Sequence, residues 1–443
     1  MNPANSTKAQ GRSVWSWALY DWANSAFATT VMAGFFPLFF KQYWSGEAAV
    51  TTSTFYLGFG NSIASLIIVL AAPILGALAD FGDLRKRMLA AFMCAGVLAA
   101  TGLFFVAQGM WPLAVLLYVI GIIGFSGANV FYDALLMAVS TEDNRHRVSA
   151  LGYALGYLGG GLLFLINVVM TLKPEWFGLP DAAAAVRWSF LSVAVWWAVF
   201  SLPILLRVHE PAVSAATTAA LDDADEGVRD SNATTTPAQR PSVRAAFANV
   251  LATMRQLQQY RNAWLFLLAY WLYIDGVATI IRMAVDYGLS IGLPANSLIT
   301  ALLLVQFIGF PATLLFGRLA ERVGARRGLW IGLWVYVIAT TYAAFMDSSF
   351  EFYLLAVALG LVQGGVQSLS RSLFGNLIPR ERSGEFFGFM NMMGKAAAVV
   401  GPILVGITAS MTGEPRLGIL SVLLLFFSGM IMLAFVDENH KQA

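Results

Sequence analysis

The chain is short of nearly everything a soluble enzyme or a secreted module relies on. A single cysteine in 443 residues, Cys94, sits in an apolar stretch and excludes both an intramolecular disulfide and a cysteine-rich metal site. Only 12% of the residues are charged, against about 25% in an average soluble domain. The net charge of +2 is too small to draw nucleic acid. There are three histidines, and inside the apolar segments neither they nor the serines form a base-and-nucleophile arrangement, so hydrolytic chemistry lacks its parts. Residues 388–395 end in Gly-Lys, but the spacing is one residue too long, Ala396 stands where a magnesium-holding Ser or Thr belongs, and the stretch is apolar; it is no phosphate-binding loop. The first apolar run has no small-residue cleavage site, so a removable signal peptide is not expected. No cofactor and no metal are expected.

What is abundant is apolar surface. Hydrophobic residues make up 58% of the chain, with 32 Phe and 13 Trp among them. Scanning for runs of the roughly 20 residues that cross a bilayer as helix gives twelve: 15–41, 54–79, 88–108, 112–138, 148–172, 187–206, 262–287, 294–320, 328–346, 350–375, 384–411 and 417–436. Helices are the choice because backbone groups in hydrocarbon must pair within their own segment, and the dyad alternation of a barrel is absent. The expected fold is all-α integral membrane, two pseudo-symmetric six-helix bundles. A tail (1–14), a first bundle (15–206), a linker (207–261), a second bundle (262–436) and a second tail (437–443) divide the chain.

Lysine and arginine orient it. With the N-terminus in the cytoplasm, that side receives 21 of the 27 basic residues, the far side only Lys41, Lys173, Arg187 and Arg416, and Arg282 and Lys395 fall inside apolar helices. Both termini are therefore expected to be cytoplasmic, in a cell (inner) membrane. The linker is rich in Ala, Thr, Asp, Ser and Pro over 210–241 and reads as a flexible tether. Beyond it Val243, Phe247, Leu251, Met254 and Leu257 recur at helical spacing, either as an amphipathic helix on the membrane surface or as an extension of the seventh span.

Two internal echoes stand out. Residues 76–87 read GALADFGDLRKR and 317–327 read GRLAERVGARR, with Gly76, Asp80, Arg85 and Lys86 answering Gly317, Glu321, Arg326 and Arg327 at one constant offset, 317 minus 76, or 241. A second offset, 365 minus 127, or 238, sets Asp133 opposite Arg371 and Asn129 opposite Gln367. Duplicated halves with the same charged turn are what alternating access uses, one repeat rocking against the other. Asp80, Arg85, Lys86, Glu321, Arg326 and Arg327 are assigned to a cytoplasmic gate, the plainer account being solvated loop charges. Asp133 and Arg371 are expected either to meet across the pseudo-twofold axis as part of that gate or to pair locally, Asp133 with Arg145 or Arg147.

Several blocks in order carry a family resemblance. They are YDWANSAFATT at 20–30, FYDALL at 131–136, LGYALGYLGGG at 151–161, FLLAYWLYIDGVATIIRMA at 266–284, and GLVQGGVQSLSRSLFGNLIP, EFFGFMN and GKAAAVVGP within 360–402. Twelve helices with the charged turn after the second and eighth resemble the major facilitator superfamily, and the blocks are similar to the autophagy-related vacuolar amino-acid effluxers and their bacterial relatives. The resemblance implies export of small solutes, amino acids being the class named for the eukaryotic members. Phe81 stands where the superfamily turn has a basic residue. The glycines 152, 156, 159, 160 and 161 resemble the antiporter signature of the superfamily's exporters, with Tyr157 in place of its proline, and close helix packing explains them equally well.

Depth singles out the transport site. Asp275 and Lys395 fall mid-membrane, where an isolated charge pairs or lines water, and Arg282 follows Asp275 by seven residues on one helical face. Gln363 and Gln367 form a polar face with Arg371, and Asn24 shares one with Asp21. Asp275, Arg282, Lys395, Gln363, Gln367 and Asn24 are the substrate-binding candidates, and Asp21 and Asp275 the proton-coupling ones; a helix-packing salt bridge is the competing account for the mid-membrane charges. The expected partners are a small solute, a coupling proton or ion, and the lipid bilayer. The expected function is secondary transport by alternating access, favouring export. A proton-coupled exporter of amphipathic compounds is the alternative, and an intramembrane aspartyl protease or a non-transporting receptor the distant ones.

Overall fold

In a computed structural model the described residues are 3–44, 63–64, 66–72, 74–76, 84–210, 260–397, 400–437. Each of the twelve expected spans contains helix among the described residues. The first, α1, runs through residues 3–44 as Pro3–Ala26, a π-helical stretch Phe27–Phe35, Phe36–Phe39 and a second π-helical stretch Phe40–Trp44. The second, α2, is described at 63–64, 66–72 and 74–76. There follow α3 (Arg85–Phe105), α4 (Trp111–Val139), α5 (Arg145–Leu172), α6 (Ala182–Arg207), α7 (Arg261–Ser290), α8 (Ala295–Val323), α9 (Ala325–Ala343) and α10 (Ser349–Leu377). The eleventh, α11, is described as Ser383–Ala397 and Val400–Thr412, and α12 as Pro415–Leu420 and Leu423–Ala434. Among the described residues nine helices are long and apolar enough to cross a membrane. The expected surface helix over 243–257 and most of the linker lie outside the described residues.

Local chemistry sets the ends. The first amides of a helix need acceptors, and Ser348 supplies one through a reciprocal box with Glu351: Glu351 N donates to Ser348 Oγ at 3.3 Å and Ser348 N to Glu351 Oε2 at 3.0 Å. Asp181 does the same for α6, its Oδ1 accepting from Ala184 N at 2.7 Å. Between α8 and α9 the chain turns at Gly324 with φ of 89°, a left-handed conformation that only glycine adopts without strain. Glu210, just beyond α6, reaches the start of α3 and accepts from the amides of Arg85 (3.2 Å) and Lys86 (2.8 Å).

Two apolar cores hold the halves. One joins α1 with α3–α6 around Trp17, Trp44 and Trp197, all essentially inaccessible. The other joins α7–α12 around Tyr273, Tyr336 and Phe426. Large apolar side chains such as Leu98, Phe105, Leu206, Phe345 and Met411 are exposed on the outside, an arrangement that suits acyl chains rather than water. An even number of spans puts the start of α1, the end of α6, the start of α7 and the end of α12 on one face. Contacts there agree: Ser13 Oγ donates to the Arg207 carbonyl at 3.5 Å and the Asp437 amide to Asn262 Oδ1 at 3.3 Å. We call this the terminal face.

The halves meet along α5 with α8 and α10, and along α2 with α11. At Gly388 an added Cβ would sit 2.5 Å from the Ala72 carbonyl oxygen, so α2 and α11 touch backbone to backbone. Within the first half, the glycine run of α5 lies against α1: a Cβ at Gly156 would meet Ser25 Oγ at 2.6 Å and one at Gly160 would meet Thr29 Oγ1 at 2.7 Å. Close packing is what those glycines do here.

Candidate functional site

A heavily engaged buried charge among the described residues is Arg371, on α10 six residues before its C-terminal end. It is 3% exposed. Its guanidinium leaves the second half and enters the first. Nη1 lies 3.2 Å from Asp133 Oδ1 on α4 and 3.5 Å from Asp21 Oδ2 on α1. Nε donates to Ser149 Oγ and Nη2 to the Ser149 carbonyl on α5, each at 2.9 Å. Three aromatic rings face the cation, Tyr153 at 4.3 Å, Trp17 at 4.9 Å and Tyr132 at 5.3 Å, the geometry in which ring quadrupoles attract a guanidinium.

The pocket walls are themselves braced. Tyr132 donates its hydroxyl to Asp21 Oδ2 at 2.8 Å, stacks on Trp17 at 4.4 Å, and accepts the Trp17 indole N–H at its own carbonyl, 3.0 Å. Asn391 on α11 donates to Asp133 Oδ2 at 3.0 Å. Ser149 Oγ donates to the Ser368 carbonyl at 2.8 Å, which leaves its lone pairs for Arg371. Each carboxylate is thus shared between the arginine and a neutral donor, and two carboxylates face one guanidinium. Charged groups this buried are held only by such partners; removing one partner of a buried pair costs about 3–5 kcal/mol.

Next to it, three consecutive residues opening α5 cross to the second half. Arg145, buried, donates through Nη1 to the Gly375 carbonyl at 2.8 Å and to Asn376 Oδ1 near the C-terminus of α10, where a cation also meets the negative end of the helix dipole. His146 Nδ1 lies 2.8 Å from Ser372 Oγ. Arg147 Nε is 3.7 Å from Glu321 Oε1. That last pair is solvent-exposed, and such pairs contribute about 0–1 kcal/mol, so the buried Arg371 cluster is the stronger of these links between the halves.

The other sequence candidates are placed as follows. Asp80 lies outside the described residues. Arg85 and Lys86 open α3 beside Glu210, and Arg326 Nη2 donates to the Ala434 carbonyl at 2.6 Å, inside the second half; Arg327 is exposed. Glu321 is the gate candidate that reaches across, to Arg147. Asn24 donates to Asn129 Oδ1 at 2.7 Å, tying α1 to α4. Gln367 accepts from the Tyr157 hydroxyl at 3.3 Å, and Gln363, one turn earlier on the same face, is half-buried. Lys395 Nζ stands 5.9 Å from the centre of the Phe125 ring, one turn beyond Asn391. Asp275 is buried, and both its oxygens accept the Gly401 amide at 3.1 Å, which ties α7 to α11. Arg282 belongs to α7, and its side chain lies outside the described ones.

Sequence reasoning passed over Trp17, Tyr132, Ser149, Tyr153, His146 and Asn391 as parts of one site, and weighed Arg145 as a local partner of Asp133, whereas it donates to Gly375 and Asn376 and Asp133 pairs with Arg371. Aromatic residues and serines in apolar helices look like packing. Asn391 carried a usable signal, a lone amide four residues before Lys395 on one helical face.

The family model described as "Vacuole effluxer Atg22 like" matches residues 43–443. The chain is 38% identical over 434 residues to an uncharacterized MFS-type transporter, YxiO, of Bacillus subtilis, covering 96% of this chain and 94% of that one. It is 27% identical to autophagy-related protein 22 of Yarrowia lipolytica over 67% of this chain and 51% of that protein. Among solved structures, the human organic anion transporter MFSD10 (TETRAN) superposes with a TM-score of 0.68 at 16% identity over 98% of this chain and 100% of that one. FucP in its outward conformation gives 0.67 at 14% identity over 97% and 98%. The relatives are transporters, which removes the protease alternative. The chain belongs to the Atg22-like vacuole effluxer family of the major facilitator superfamily and is a multi-pass membrane transporter rather than an enzyme.

Proposed function

We propose that this protein is a secondary transporter that exports a small solute of the amino-acid class by alternating access, with both termini in the cytoplasm of a cell membrane. The observation that carries the reading is the buried Arg371 of the second half locked in a pocket made by the first. A closed terminal face of this kind has to open for solute to enter from the cytoplasm, and the latch is what opening must break. In this reading Arg371, Asp133 and Asp21 form the inner gate, with Arg145, His146 and the Arg147–Glu321 pair as its rim. Gln363, Gln367, Asn24 and Lys395 line the route beyond it.

Two carboxylates against one guanidinium leave a negative charge in excess, and a proton on Asp21 would balance it. Protonation would also take Asp21 out of the contest for Arg371 and loosen the latch, which gives an imposed proton gradient a place to act. Of the two proton-coupling candidates Asp21 is the one in contact with Arg371, so it is the favoured proton carrier. The test is uptake and efflux by purified protein in liposomes, across a panel of amino acids, with and without a pH gradient. Movement of an amino acid that responds to the gradient and disappears in Arg371→Ala supports the reading. Movement of bulky amphipathic compounds with no amino acid transported favours the alternative cargo, and no movement of any solute contradicts the assignment.

A further inference from the structure

The partners of the Arg371 guanidinium come from the first half: Asp21 on α1, Asp133 on α4, Ser149 through both hydroxyl and carbonyl on α5, and the rings of Trp17, Tyr132 and Tyr153. What the second half inserts is the cation; what the first half presents is the set of groups that contact it, with Ser368 and Asn391 of the second half bracing Ser149 and Asp133 from behind. The receptor's polar atoms aimed at the cation are acceptors, two carboxylates, a carbonyl and a hydroxyl, whose proton goes to the Ser368 carbonyl of α10 in the closed arrangement and which is free to turn as donor or acceptor once α10 leaves. Its remaining walls are aromatic faces. Nε and Nη2 grip one residue, Ser149, at 2.9 Å each, and Nη1 faces the carboxylates, so the planar fork is read edge by edge.

When the halves part on the terminal face, α10 carries Arg371 away and the receptor stays behind. It then holds two carboxylates in an aromatic-walled pocket with their cation removed, a costly arrangement until a positive charge arrives. We propose that this vacated pocket is a cargo site for guanidinium-bearing solutes, and that Arg371 is a tethered competitor that mimics them. The proposal rests on the alternating-access reading above and narrows its cargo to cations of that shape. Cargo seated in the pocket holds the terminal face open in place of Arg371. Its departure lets Arg371 return and close the face, so occupancy and gate position are linked through one pocket. A neutral solute cannot repair the charge and gains nothing from the carboxylates.

The test uses methylguanidinium and agmatine as probes, with N-methylurea as the uncharged shape control, and reads thermal stability of the purified protein against probe concentration. Wild-type protein is expected to bind methylguanidinium saturably, Asp133→Asn to lose that binding, and N-methylurea to have no effect in either. Arg371→Ala, its competitor gone, is expected to bind roughly tenfold more tightly than wild type, because the fraction of molecules with a free pocket rises. A merely structural Arg371 would destabilise the protein without improving its affinity for a cation. Absence of saturable binding to the wild type, or binding that Asp133→Asn leaves unchanged, overturns the proposal whether or not Arg371→Ala folds. In liposomes agmatine should compete with labelled solute counterflow. Counterflow of a neutral amino acid untouched by agmatine would sink the cation pocket and leave the transporter reading standing. Saturable methylguanidinium binding with no solute moved would do the reverse.

Discussion

At the scale of single residues, the balance of the terminal face turns on how strongly one guanidinium is held. Arg371→Ala removes the cation from two buried carboxylates, a loss of about 3–5 kcal/mol from the closed arrangement, and is expected to lower transport at least tenfold in liposomes. Exchanging the charges, Asp133→Arg with Arg371→Asp, keeps one cation between two anions and is expected to recover part of that loss; two single variants with wild-type transport would contradict the latch. Tyr132→Phe is the finer probe. It keeps the ring that stacks on Trp17 and faces Arg371, and deletes only the hydroxyl that donates to Asp21 at 2.8 Å. A hydrogen bond to a charged group contributes about 1.5–3 kcal/mol, so the variant is expected to transport at a rate between those of wild type and Arg371→Ala, measured in the same assay.

Elements carry the latch, and their close approaches decide how far they can move. α2 and α11 touch through glycine, and Gly388→Val would place a branched side chain on the Ala72 carbonyl. The wedge is expected to push the terminal face open, raising the labelling of a cysteine placed at Ser149 by a membrane-impermeant reagent from that face, in a Cys94→Ser background. α11 offers a second test. Asp275 on α7 accepts the Gly401 amide of α11, and a hydrogen bond to a charged group contributes about 1.5–3 kcal/mol. Asp275→Asn, which can still accept the amide, is expected to leave KM for the transported solute unchanged, whereas a direct cargo ligand would raise KM sharply. Helix positions were legible from the chain because hydrocarbon tolerates little else: the run 148–172 corresponds to Arg145–Leu172 and the run 350–375 to Ser349–Leu377. The break in α12 at Ser421 and Val422 was not, since the run is apolar across it. Nor was the helix over the polar residues that precede Trp15, where no apolar period marks it.

The whole molecule is a pair of similar halves whose difference is chemical: one presents acceptors, the other inserts a cation. That division was partly visible in the 238-residue offset between Asp133 and Arg371, whose atoms lie 3.2 Å apart in space. The aromatic walls and Ser149 were hidden, because a serine or tryptophan in a membrane helix carries no mark of which helix it will face. The matching turns at 76–87 and 317–327 point to a symmetric gate; of their described residues Glu321 reaches Arg147 across the halves and Arg326 donates to the Ala434 carbonyl in its own half, and Asp80 lies outside the described residues. A functional site built at a pseudo-symmetric interface draws on the places where the repeats differ, which repeat logic alone does not supply.

Closure and opening of the terminal face can be read as a distance. Spin labels at Glu142 and Arg380, both exposed on that face and on opposite halves, in a Cys94→Ser background, report whether the halves part. Two populations are expected in wild-type protein in lipid, a short one matching the closed face and a longer one, with Arg371→Ala shifting weight to the longer. A single distance that neither Arg371→Ala nor a change of pH moves would contradict a transporter that works by withdrawing Arg371 from its pocket.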